Sequence, residues 1–394
     1  MNVVMVRYGE LFLKSEPVKR HFIGLLTRNI KKALDSEGIA HRFELPRGRL
    51  LIFGDEPERI AGAVSRIFGV VDVSIGIMTS SSPEELAAAA VENAVRRVSP
   101  GMRFAVRARR QGVEGFSSQE LGAMIGGAIL EKYPDMRVDL KNPEYEVFVE
   151  ARDFGGIVYD QRVPAPGGLP WGTQGRVLTL LSAGIDSPVA SWLMMKRGCE
   201  VLHLHMEAGR WAGCGVGDAA VENHRRLSEW CRGFPLELLL IRSEPLYDAM
   251  EGRIPPRLRC VICKRFMLMT ACRLLNQQDA LAVVTGENLG QVASQTLSNL
   301  TVISHAATAP VIRPLVTYDK DEIVTLARRI GTFNARPGDL CCRAVPKMPA
   351  TSASHAEIAA AEHDIRMGSL VDEAMQEIRF VSALNGVITD SNGS

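Results

Sequence analysis

Between the apolar run Val177–Leu181 and a helical pattern stands Ser182-Ala-Gly-Ile-Asp-Ser187-Pro188. Small residues at 183 and 184 let the backbone come close to a ligand, while Ser182, Asp186 and Ser187 offer hydroxyls or a cap and Pro188 suits the first helical position. After the first strand of a parallel sheet, such a turn aims helix-N-terminal N–H groups at whatever lies above it, which suits a pyrophosphate. No Gly-Lys pair exists for a Walker loop, no G-x-G-x-x-G stands at this turn, and Gly213-Cys-Gly-Val-Gly217 misses the dinucleotide spacing. A capped helix start without a ligand is the plainer alternative.

Thiols and guanidinium groups form two further sets. Eight cysteines in 394 residues look nothing like a secreted disulfide framework, so clustered thiols read as metal ligands or reactive groups. Cys260-Val-Ile-Cys263 has ligand spacing for zinc or an iron–sulfur cluster and equally the spacing of a redox dithiol, and spacing leaves all three open. Cys341 and Cys342 are adjacent, whereas Cys199, Cys214, Cys231 and Cys272 stand alone and read as small buried hydrophobes. Residues 95–110 hold six arginines and no acid. In a strand Arg103, Arg107 and Arg109 share one face with Ala105 between them, with Arg110 beside them, forming a stripe that could meet successive phosphates or simply be a solvated face.

The elements that must position these groups fall into two grammars. Helical spacing from Leu11 to Leu34 (Phe12, Phe22, Ile23, Leu26, Ile30) and a short strand at Arg49–Phe53 predict a small α+β unit. Pro83 opens an Ala-rich helix, MRFAVRARR alternates as a strand, Ser117–Leu130 is helical, and YEVFVEARD and GIVYDQRV pair about a Gly-Gly turn. PAPGGLPWGTQG reads as a linker, after which strands VLTLL, EVLHLHM, LELLLI and ALAVVTG alternate with helices and predict an α/β domain with a doubly wound parallel sheet. The chain is long enough for two or three domains. It has no apolar run of membrane length and no signal-peptide layout, so the default location is cytoplasmic. Net charge is +1, but residues 1–50 carry ten Lys/Arg against five Asp/Glu. The basic excess is N-terminal.

LLSAGIDSPVASWLMMKRG resembles the SGGxDS signature of the PP-loop pyrophosphatases, with Ala183 in place of the first glycine. VTGENLGQVASQTLSNL, PVIRPLVTYDKDEI, VRARRQGVEGFSSQELG and GGLPWGT are similar to the tRNA 4-thiouridine synthases, or tRNA sulfurtransferases, over nearly the whole chain. The resemblance implies a ferredoxin-like domain at 1–58, a THUMP RNA-binding domain at 59–165, a linker at 166–175 and a PP-loop catalytic domain at 176–394. It implies that uridine 8 of tRNA is adenylated by ATP and then thiolated to 4-thiouridine. By motif match, Leu180, Leu181, Ser182, Gly184, Ser187, His205, Met206, Lys264, Gly286 and Gln295 contact ATP. Asp186 handles Mg2+ or pyrophosphate, and Lys320 is the catalytic lysine. Cys341 or Cys342 is the catalytic thiol. The chain carries no rhodanese-like segment, and relatives of that type with a Cys-x-x-Cys imply a [4Fe–4S] cluster on Cys260, Cys263 and one of Cys341 and Cys342. A persulfide and disulfide cycle and structural zinc are the alternatives. At the level of function, the rivals are a 2-thiolating PP-loop enzyme and a non-catalytic tRNA-binding protein. The sulfur donor (sulfide or a persulfide-carrying protein), a homodimer and any role in thiamine synthesis stay open.

Overall fold

The structure, a computed structural model, describes residues 1–9, 15–46, 48–95, 97–333 and 342–392. It divides into two compact units, residues 1–14 with 30–167 and residues 15–29 with 168–394.

In the first unit the strands are β1 (Asn2–Tyr8), β2 (Arg42–Glu44), β3 (Leu50–Phe53), β4 (Val70–Thr79), β5 (Arg103–Gln111), β6 (Arg137–Val138), β7 (Tyr145–Arg152), β8 (Gly155–Tyr159) and β9 (Val163–Pro164). The helices are α1 (Glu16–Ser36), whose first part groups with the other unit, α2 (Pro57–Val64), α3 (Pro83–Ala94) and α4 (Ser118–Lys132). One nine-stranded sheet runs β2-β3-β1-β4-β8-β7-β5-β6, with β9 also on β4. The two segments read as separate domains therefore share a sheet, joined where β1 pairs with β4. Val3–Val6 and Leu50–Phe53 are buried throughout, because both faces of this part of the sheet are covered; such strands show no alternation for a sequence reading to find. The helix starts follow their residues. Ser82 accepts from Glu85 N ahead of Pro83, and Ser117 and Glu120 form a reciprocal capping box.

In the second unit β10 (Arg176–Leu180), α5 (Asp186–Lys196), β11 (Glu200–Glu207), α6 (Val216–Ser228), β12 (Leu236–Arg242), α7 (Glu244–Met250), α8 (Arg259–Gln277), β13 (Val283–Val284), α9 (Leu297–Ser304), β14 (Val311–Ile312), α10 (Lys320–Ile330), α11 (His355–Asp364), α12 (Met367–Ala374), β15 (Ile378–Leu384) and β16 (Val387–Asn392) follow in order. The sheet order is β14-β13-β10-β11-β12-β15-β16, its first five strands parallel and the last two antiparallel. Alternate residues Leu202, Leu204 and Met206 pack with the α8 core, while His203 turns to Ser191 on α5 and His224 on α6, so helices cover both faces. The chain builds outward from β10 to β12 and then crosses to β13 on the other side. The strand order reverses between β10 and β13, and the Ser182–Ser187 turn emerges at that switch point.

Candidate functional site

The turn is held by its own hydroxyls and by a neighbouring helix. Ser187 Oγ accepts from Ser182 N at 2.8 Å and pairs with Ser182 Oγ at 2.9 Å, and Gly184 N donates to Ser182 Oγ at 3.3 Å. Asn223 of α6, which the sequence reading missed, donates to Ser182 O at 3.0 Å. The expectation of a side-chain cap is corrected: Ile185 holds the N-cap position with no side-chain hydrogen bond, and Pro188 is the third helical residue, not the first. Both serines are committed to shaping the turn, which leaves the first N–H groups of α5 uncapped for an anion. Neither Ala183 nor Gly184 has a positive φ, so smallness rather than a left-handed backbone is what these positions supply, and alanine fits at 183.

Segments distant in sequence close on this turn. Beyond β13, a Cβ on Gly286 would lie 2.6 Å from Ser187 N and 2.8 Å from its Cα, so glycine there is a condition of close approach. Asp186 accepts from Lys320 Nζ at 2.9 Å, across 134 positions, and from Gln291 at 3.3 Å. Glu287, only 6% exposed, accepts from Lys264 Nζ at 2.9 Å, Arg313 Nε at 2.7 Å and Thr285 Oγ1 at 3.1 Å. Burial raises the Glu287 pKa, but the Lys264 and Arg313 cations more than reverse this and hold it below the usual carboxylate range. Gln291, Glu287 and Arg313 carry no signal of their own in a single sequence beyond lying in the quoted motifs.

A cavity of about 350 Å³ opens over the turn, lined by Leu180–Gly184, His205 and Met206 together with Trp211, Tyr247 and Cys342. His205 Nδ1 lies 2.9 Å from Leu181 O; a carbonyl only accepts, so the proton sits on Nδ1. Burial keeps this imidazole neutral. Gln295, in the single turn Ala293–Gln295, is not among the cavity's lining residues.

Cys342 is exposed beside the cavity, and on α8 Cys260 sits one turn before Lys264 and Cys263 directly before it. Cys260 and Cys263 each feel the charge of Cys342, and Tyr247 Oη lies 3.0 Å from Cys263 Sγ. Burial pushes the Cys263 thiol up to about 12 and raises that of Cys260. Cys341 lies outside the described residues. The donor set suits a thiolate-bound metal or cluster, yet among the described residues no group of three His, Cys, Asp or Glu stands in metal-holding geometry. Cys199 and Cys231 are buried as expected, but Cys214 is exposed and Cys272 half-buried.

The arginine stripe of the first unit stands among acids. Arg103, Arg107 and Arg109 do share a face of β5, but Arg103 pairs with Glu144 at 3.2 Å and Asp139 at 3.4 Å, and Arg107 with Glu146 at 2.8 Å. β7 lies beside β5 and brings these acids to a segment that has none of its own. Arg109 and Arg110 are exposed; neither forms a salt bridge among the described residues, although the Ser117 hydrogen bonds and then the Arg110 charge lower the Glu120 carboxyl. Arg107 and Arg109 line a groove of about 880 Å³ with Gly122, Gly126, Phe148 and Arg162. The N-terminal basic excess is also partly internal: Arg7 and Arg49 turn inward to Glu150, which is 1% exposed. A buried carboxylate demands such counter-charges.

Three family profiles match: "ThiI ferredoxin-like domain" over residues 3–74, "THUMP domain" over 80–159 and "Thiamine biosynthesis protein (ThiI)" over 172–367. A probable tRNA sulfurtransferase of Methanobrevibacter smithii is 36% identical over 383 residues, 96% of this chain and 99% of that protein. One of Methanosarcina acetivorans is 36% identical over 390 residues, 96% and 93% of the two chains. A crystal structure of a 4-thiouridine synthetase–RNA complex with bound ATP matches with a TM-score of 0.86 at 32% identity, over 97% of this chain and 99% of that one. With a turn of small residues at the sheet's switch point, a thiol on the same cavity and relatives alike from end to end, the chain belongs to the tRNA sulfurtransferase family.

Proposed function

We propose that this protein uses ATP to replace O4 of uridine 8 in tRNA by sulfur. The observation that carries the reading is the shared cavity, whose lining includes both the Ser182–Gly184 turn and the exposed Cys342. An oxygen activated at the first can be displaced by sulfur at the second. The uridine oxygen attacks the α-phosphorus of ATP, the bond to pyrophosphate breaks, and sulfur then displaces AMP. The uncapped N–H groups of α5 and the Lys320 ammonium face the charge that builds on the departing pyrophosphate. Asp186 would supply the carboxylate that holds a Mg2+ ion accompanying the phosphates, which would add positive charge there. His205, neutral with its proton on Nδ1, presents Nε2 as an acceptor in the cavity.

The sulfur site is assigned to Cys260, Cys263 and Cys342. An iron–sulfur cluster bound there would supply a site at which sulfide is carried as a metal ligand. What the chain itself supplies is three thiols near the nucleotide, two of them protonated by burial until a cation draws the proton off. The tRNA is assigned to the first unit, on the groove beside Arg109 and Arg110, by shape and backbone rather than base reading.

The deciding experiment is nucleoside mass spectrometry of tRNA after anaerobic incubation with ATP, Mg2+ and sulfide. 4-Thiouridine with AMP and pyrophosphate is the expected result; ADP and phosphate, or a 2-thiolated base, would overturn it.

A further inference from the structure

We infer that Trp211 is the stacking surface on which the target pyrimidine rests during sulfur transfer, an assignment that rests on the thiolation reading above. A base inside a folded tRNA reaches a thiol at a cavity mouth only by leaving its own stack, and an aromatic face that replaces the lost stacking makes that exchange favourable. Trp211 is placed for this. It belongs to the single turn Gly209–Trp211 beyond the end of β11 and walls the cavity that also holds the Ser182–Gly184 turn and Cys342. Its carbonyl accepts from Arg343 N at 2.8 Å, and the next residue, Ala212, forms a β-bridge with Cys342. The indole and the thiol-bearing backbone are thus neighbours by main-chain pairing.

The indole is half-buried yet its orientation is over-determined. Its N–H donates to Asp248 Oδ1 at 2.8 Å, and Arg210 donates to the same oxygen at 2.6 Å. The Arg210 guanidinium lies 5.4 Å from the indole centroid, and the Tyr247 ring lies 6.2 Å away at 26°. The turn itself is pinned from below. Glu244 Oε1 accepts from Arg210 N at 3.1 Å, and Gly209, at φ +52°, packs against that carboxylate, where a Cβ would come within 2.4 Å of Glu244. A partly exposed tryptophan fixed by polar contacts on its edge, with ring surface left on a cavity, is built as a platform rather than as core filling.

Two planar groups enter the reaction, adenine and uracil, and their positions separate them. We assign adenine to the strand-end residues Leu180, Leu181 and Met206, which line the same cavity. Trp211 stands five residues beyond Met206, beside the thiol, where the base must be when sulfur is delivered.

The test uses the full chain with ATP, Mg2+, sulfide and tRNA, comparing wild type with Trp211→Ala, Trp211→Phe and Asp248→Ala. Three quantities are read: the Kd for ATP, the Kd for tRNA, and kcat/KM for 4-thiouridine formation at saturating ATP. Trp211→Ala is expected to lower kcat/KM about 10-fold or more, with both Kd values changed less than about 2-fold. Trp211→Phe should restore most of the loss. Asp248→Ala keeps the indole but frees it, and should cost about 3-fold with ATP binding unchanged; it decides the matter if Trp211→Ala does not fold. Loss of ATP affinity matching the loss of thiolation, and cured by saturating ATP, would put adenine on the indole and overturn the assignment. Wild-type thiolation in both Trp211→Ala and Asp248→Ala would overturn it too. A wild-type protein that makes no 4-thiouridine sinks the thiolation reading itself, which distinguishes the two failures.

Discussion

Asp186 shows how one side chain can carry two duties. Its carboxylate accepts from Lys320 and Gln291, and the first of these contacts brings the cation to the N-terminal end of α5. Lys320→Ala should lower tRNA-dependent AMP release about 100-fold or more, ~2.7 kcal/mol of barrier, since removing one group aimed at developing charge typically costs that much. Asp186→Ala should abolish AMP release while the Kd for tRNA stays within about 2-fold, measured by chromatography of the nucleotides and by filter binding. Gly286 makes a steric prediction at the same scale. Its alanine variant drives a methyl into the Ser187 backbone and should weaken ATP binding at least 10-fold, with about 1–3 kcal/mol of overpacking. A Gly286→Ala protein with wild-type Kd for ATP would show that the turn can yield.

At the scale of elements, Glu287 ties together three pieces that the sequence leaves far apart: α8 through Lys264, the segment after β14 through Arg313, and the loop that seats Gly286 on the turn. Glu287→Gln leaves two half-buried cations against a neutral amide, and should lower stability by about 3 kcal/mol, read as a lower urea midpoint with an unchanged slope. β5 carries a second prediction. Arg103 and Arg107 are already neutralised by acids of the β6–β7 segment and β7, so Arg109→Ala with Arg110→Ala should flatten the log K against log salt slope for tRNA by about 0.7–0.9 per contact, whereas Arg103→Ala should leave it nearly unchanged. An unchanged slope in the Arg109/Arg110 double variant would move the RNA surface elsewhere.

The second unit as a whole is exposed to acid through a buried pair. His203 and His224 face each other at 2.9 Å, Nδ1 to Nδ1, with Ser191 on His203 Nε2 at 2.7 Å. Burial holds His203 well below its ordinary range, with the His224 charge a second cause, and takes His224 down to about 3. Below an unfolded-state pKa of about 6.5 the unfolded chain binds protons that the folded one refuses, so the stability is intact above that pH and is lost progressively as pH falls toward 3. His224 alone should remove about 2 kcal/mol at pH 5. Unfolding midpoints between pH 7.5 and 5 should fall steeply in wild type and less in His224→Gln, which keeps a donor but does not titrate.

Several features were legible in the residues alone, and their reach explains why. Pro83, Ser117 with Glu120, and the small residues at 183 and 184 act within three or four positions, and the alternation of strands and helices after Arg176 announces a parallel sheet because each piece carries its own period. Other elements left no local trace. β1 is buried on both faces and so does not alternate, and the β15–β16 hairpin on β12 closes the sheet with antiparallel strands that follow two helices. Asp186 and Lys320 were each singled out from the sequence, but what joins them is a strand order that places residue 320 above residue 186. The arginines of β5 looked like free cations in the sequence, until β7 came to lie alongside and brought Glu144 and Glu146 to them. Residue type and spacing determined which chemistry this chain can do. Tertiary structure decided which charges are left to do it, because neutralisation is a matter of ångströms between side chains and not of their separation along the chain.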